Sequence, residues 1–141
     1  MLAMLTIFMM PIHTHANQSA QALGTCLADA LNGKERKELA KWIYFGMSRH
    51  STIKQYSKVT DADIDNMNKY IGRLVTRLLT ADCSQIASKA IKEGGASSVQ
   101  YAFRVVGQVA MQELMREKSV TKALGEFETY LDKEKMNQVL K

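Results

Sequence analysis

The sequence predicts an all-α fold: a single compact bundle of about six or seven helices, stapled by one disulfide. Three observations predict it. Apolar residues recur at spacings of three and four along nearly the whole chain, the period of a helix with one buried face. No stretch alternates apolar and polar residues for long enough to read as a strand. After Pro11 there is no further proline, and the glycines fall mostly between periodic segments. A chain of 141 residues can bury one real core but not two comfortable ones. Its 46% hydrophobic and 23% charged residues describe a globular chain, not a disordered one.

The first segment differs from the rest. Leu2 to Met10 is an apolar run without a charged residue. It is too short to span a bilayer, which takes roughly 20 apolar residues, but it fits the core of a secretory signal. Pro11 breaks any helix there, and Thr14 and Ala16 place small residues around a cleavage point. The basic stretch that usually opens such a signal is missing. The expected division is a signal peptide over 1–16 and an all-helical domain over 17–141. The protein is then periplasmic or secreted, with no stable membrane insertion after cleavage. His13 and His15 would leave with the leader, and two ligands do not make a metal site.

The mature chain reads as a series of helices. The first covers Gln18 to Leu31, with Ala20, Leu23, Leu27 and Leu31 as one stripe. Asn32-Gly33 ends it, Gly33 being free to turn left-handed. Asn32 also caps the next helix, with Glu35 as its capping-box partner. That second helix, Lys34 to Arg49, is polar in its first half and apolar almost all round in "WIYFGM". The segment from His50 to Val59 connects, with one helical turn at most. Thr60 opens the longest helix, Asp61 to Ala81, on a stripe of Ile64, Met67, Ile71, Leu74, Val75 and Leu78. A shorter helix spans Ser84 to Lys92 and stops at Gly94-Gly95. Ser97 with Gln100 reads as a capping box for a helix to Glu117, with Val99, Phe103, Val106, Ala110 and Leu114 inward. Gly107 on it would permit a close helix crossing. Around Ser119 another helix starts, with Val120, Leu124, Phe127 and Leu131 inward. Asp132 caps a last one carrying Met136, Val139 and Leu140.

Cys26 and Cys83 are the only cysteines. In an exported chain two cysteines most simply form one disulfide. No CxxC marks a redox centre, and no CxxCH a haem attachment. Cys26 with His50 could form a nucleophile–base pair only if the thiol were free and a third group oriented the imidazole. His50 instead sits beside Arg49 at the end of a helix, where a cation favours the dipole. No catalytic residue, metal site or cofactor is assigned. Phosphate-binding glycine loops, HExxH and GxSxG are absent. Dispersed acids such as Glu113 and Glu126 leave a peptidoglycan hydrolase as a lesser alternative, but no apolar pocket marks either as a raised-pKa acid.

The net charge of +5 favours anionic partners only weakly, because bases and acids are interleaved. Lys69, Arg73 and Arg77 form a basic stripe at a spacing of four. With Asp61 and Asp65 before them, they also read as a solvated face matched to the helix dipole. Nothing in the sequence suggests a nucleic-acid module. Trp42, Tyr44, Phe45 and Met47 crowd a turn and a half of one helix. Core packing is the first explanation. An interface with a protein partner or a second copy is the other, since such residues are enriched there. The expected function is an exported, non-enzymatic protein that binds a protein partner, as an inhibitor or toxin-immunity protein would, or that forms a homodimer. A periplasmic stress chaperone is the alternative.

Overall fold

The computed structural model describes the backbone of residues 13–140, with side chains from residue 18 onward. The predicted leader's apolar run and the His13 and His15 side chains lie outside the described residues. Within them are seven α-helices and no strand. They are α1 (His13–Ala30), α2 (Gly33–Met47), α3 (Asp61–Arg77), α4 (Ser84–Gly94), α5 (Ala96–Arg116), α6 (Lys118–Gly125) and α7 (Lys133–Val139). One 3-10 turn, Lys54–Tyr56, interrupts the segment between α2 and α3, as the sequence suggested.

Most helix boundaries follow from local chemistry. The Asn32 side chain accepts from the Glu35 backbone N–H, and the Glu35 carboxylate accepts from the Asn32 N–H, a full capping box for α2. Gly33 is therefore the first residue of α2 and not a left-handed stop for α1. The only glycine with positive φ among the described residues is Gly95. The end of α1 is covered instead by Arg36, which donates from Nη2 to the Ala28 carbonyl at 2.9 Å and from Nε to the Leu31 carbonyl at 3.3 Å. Thr60 and Asp63 form a second capping box on α3. Asp132 caps α7. The box expected at Ser97 does not form. Gly95, at φ 64 and ψ −154, reverses the chain in one residue between α4 and α5. Ser97 is already helical, and its hydroxyl donates back to the Gly94 carbonyl. The α-helical part of α3 also stops early. A π-turn over Leu78–Asp82, closed by Cys83 N–H donating to the Leu78 carbonyl, carries the chain to α4.

Helix α1 packs against α4 and α5, while α2 packs against α3 and α5. The core draws on Leu23, Leu27 and Leu31 of α1, Leu39 of α2, and Met67, Ile71, Leu74 and Leu78 along α3 and its π-turn. Leu23, Leu27 and Leu78 are fully buried, each a burial of about 1.5–3 kcal/mol. From α4 and α5 the core takes small residues: Ala87, Ala90, Ala102 and Ala110, with Val106. The buried face of α5 is thus the one carrying Ser98, Ala102, Val106 and Ala110. Val99, Phe103 and Leu114, expected inward, are half-buried beside it.

Small residues let α1 and α5 approach closely, and the glycine that permits it is Gly24. A Cβ there would stand 2.7 Å from Val105 Cγ2 and 3.6 Å from the Ala102 Cα. Gly107, the expected crossing point, would meet nothing within 4 Å.

The disulfide joins Cys26 in α1 to Cys83 at the start of α4, with Cα atoms 6.1 Å apart. Near it Arg77 grips Glu35 with two bonds, at 2.6 and 3.1 Å, and Asp82 at 2.9 Å. Ser19 donates to the Glu93 carboxylate and ties α1 to α4 on the far side.

The C-terminal expectation is corrected. Val120, Leu124, Phe127 and Leu131 do not line one inward-facing helix. Helix α6 stops at Gly125, and a 3-10 turn, Glu126–Tyr130, follows. No residue from Lys118 to Leu140 is buried. Phe127 is 60% exposed and Tyr130 88% exposed. This arm touches the bundle only where α6 leaves the end of α5.

Candidate functional site

The surface with the most unusual chemistry lies on α2 and the segment after it. The cause is local. After Ala40 the chain reads Lys-Trp-Ile-Tyr-Phe-Gly-Met, more apolar surface than one helix face can bury. Ile43 and Phe45 take the inward positions and pack against the core. Trp42 is drawn toward α3, where its Nε1 donates to Asn68 Oδ1 at 2.9 Å, yet it stays 39% exposed. Tyr44 is 46% exposed and stands edge-on to Phe45, with ring centroids 6.3 Å apart. Met47 is half exposed, and Ile53 and Tyr56 add to the exposed apolar surface beyond the helix. Of the four residues singled out in the sequence, Phe45 belongs to the core, while Trp42, Tyr44 and Met47 face outward. Ile53 and Tyr56 escaped notice because nothing periodic surrounds them.

Charge gathers on the same stretch. Lys34, Lys37, Lys41 and Tyr44 recur at three and four residues, so they share the outer face of α2, and all are exposed. Between residues 34 and 58 the bases are Lys34, Arg36, Lys37, Lys41, Arg49, Lys54 and Lys58; the acids are Glu35 and Glu38. That surplus equals the +5 of the whole chain, so the rest of the protein is balanced. A running sum of charge along the sequence would have found it. Some of these bases are engaged: Lys41 pairs with Glu38 at 2.7 Å, and Arg49 with Asp61 at 2.6 Å.

The stripe on α3 is differently disposed. Lys69 pairs with Asp65 at 2.7 Å. Arg77 is committed to Glu35 and Asp82. Only Arg73 carries no ion pair among the described residues, and with Tyr70 it borders a shallow cleft of about 200 Å³. Its three bases do not act together as a free basic face. The Arg77 guanidinium beside Glu35 holds that carboxyl below its ordinary value, against the opposing effect of burial.

Cys26 is bonded to Cys83, so it has no thiol to offer as a nucleophile. His50 faces its own turn, with Nδ1 3.1 Å from Thr52 Oγ1. Among the described residues no three His, Cys, Asp or Glu side chains converge as metal ligands do. A cleft of about 490 Å³ is an open groove on the outer side of α4 lined by Ser84, Gln85, Ser88, Lys89, Lys92 and Glu93. Its lining residues are all polar or charged and it is open to solvent, so it lacks the enclosing apolar side chains that shift a catalytic carboxyl. No described helix is long and apolar enough to cross a membrane. Comparison of the chain with known protein families, curated proteins and solved structures finds no match.

Proposed function

We propose that the protein is an exported, non-catalytic binding protein whose α2 surface engages a partner protein with an acidic face. The observation that carries this reading is a coincidence along one stretch of the chain. The outward Trp42, Tyr44 and Met47, with Ile53 and Tyr56, lie on the stretch that holds the entire surplus of positive charge. Aromatic and methionine side chains supply the apolar centre of an interface, and surrounding charge steers encounter and selects the partner. The disulfide supports export, because such bonds persist in oxidising compartments. A toxin or hydrolase neutralised by this protein is the kind of partner the reading implies.

The test begins with the genes beside this one. A toxin or secretion-effector gene immediately upstream supplies the partner for a direct binding assay. Tyr44→Ala should then weaken association by more than about 1 kcal/mol, with helical content unchanged. Affinity should fall steeply as salt is raised. Unaltered binding across substitutions at Trp42, Tyr44 and Met47 would refute the placement. Turnover of a defined substrate that survives rigorous purification would refute the non-catalytic reading.

A further inference from the structure

The arm formed by α6, the 3-10 turn and α7 poses a physical problem. Its helices have eight and seven residues. Helices shorter than about 12 residues are marginal in water unless an apolar face is packed. Here no residue is buried, while Leu124, Phe127, Leu131 and Met136 stand exposed. Phe127, Leu131 and Met136 line an open groove of about 400 Å³, edged by Glu128 and Lys133. Something must cover this surface for the arm to keep its helices.

Charge identifies the cover. From Lys118 to Leu140 the arm carries Lys118, Lys122, Lys133 and Lys135 against Glu126, Glu128, Asp132 and Glu134, so it is neutral. The signs are also segregated along it: Lys118 and Lys122 come first and Glu126, Glu128 and Asp132 follow, so an antiparallel copy sets bases opposite acids. A surface that is neutral, apolar at its centre and edged by both signs can meet its own copy across a two-fold axis, each base opposite an acid. The α2 surface cannot, since two such faces would repel. A standard interface takes about 20–30 residues from each partner, and the arm from Lys118 to Leu140 has 23. We infer that the C-terminal arm is the dimerisation element: two copies pair through Leu124, Phe127, Leu131 and Met136, leaving both α2 surfaces free.

Sedimentation equilibrium on the protein as the cell produces it tests this. A reversible dimer is expected. Phe127→Glu with Leu131→Glu should raise its dissociation constant by roughly 30-fold or more, with the unfolding midpoint of the bundle unchanged. Hydrogen exchange supplies a second reading that does not depend on the variant folding. Arm amides should be protected at high protein concentration and exchange freely on dilution. A monomer at every concentration overturns the inference. So does a dimer untouched by the substitutions, or arm protection independent of concentration, which would mean that the arm folds onto its own bundle.

Discussion

Replacing Gly24 by alanine sets two effects against each other. Glycine inside a helix costs about 1 kcal/mol relative to alanine, so propensity alone predicts a more stable protein. The new methyl would stand 2.7 Å from Val105 Cγ2 and 3.1 Å from Val105 Cβ. Carbon atoms prefer about 3.5–4.0 Å, so the pair is almost an ångström too close. Val105 cannot easily yield, because a β-branched residue in a helix has one strongly preferred rotamer. The Ala102 Cα at 3.6 Å blocks a slide along α5. The helices must move apart, an overpacking that costs typically 1–3 kcal/mol. Packing wins: Gly24→Ala should lose about 1 kcal/mol net, and Gly24→Leu considerably more. Urea unfolding followed by far-ultraviolet circular dichroism measures it. Adding Val105→Ala removes the offending Cγ2 and leaves only the milder contact at Cβ, so the double variant should be more stable than the sum of single effects by about 1 kcal/mol. A Gly24→Ala protein as stable as the parent, or strict additivity with Val105→Ala, would refute the reasoning.

Two further outcomes follow from the bonded end of the bundle. Reducing the disulfide, or replacing both Cys26 and Cys83 by serine, should lower stability by a few kcal/mol. The bridge spans 57 positions of sequence, for which loop-closure entropy gives about 4 kcal/mol as an upper figure. Unfolding curves that coincide with and without reductant would contradict this. Glu35→Gln keeps the capping box but removes the charge that faces Arg77. Because Arg77 is half exposed, the loss should be only about 1 kcal/mol at neutral pH. The Glu35 carboxyl is held below its ordinary value, so its contribution is complete above the unfolded value near 4.3. It disappears as pH falls through the lower folded value. Parent and variant should converge once pH lies below that folded value, and a difference that grew with acidity would be the wrong sign.

What could be read from the sequence was local. The caps at Asn32, Thr60 and Asp132, the stripes of α1 and α3, and the cysteine pair each depend on residues a few positions apart or on composition. What could not be read depends on neighbours distant in sequence. Gly24 and Gly107 look alike along the chain, but only one lies against another helix. Glu35 and Arg77 are 42 residues apart, and no periodicity announces their pairing. The stripe through Leu124, Phe127 and Leu131 was seen as a stripe, yet periodicity reports that a face is apolar and not what covers it. The α2 surface was half legible: its aromatics were found, and its company of lysines was lost in a chain-wide average.

The bridge from Cys26 to Cys83 closes a covalent ring around α2, the exposed segment after it and α3. A peptide bond cut within that segment, around Tyr56, would therefore open the ring without dividing the molecule. The two pieces would stay linked through sulfur and through the packed core, and the cut protein would gain only the mass of one water until reduced. The joint at Glu117 lies outside the ring. A cut there would detach the arm for good. Proteolysis that costs the protein its C-terminal arm would therefore leave the exposed face of α2 in place.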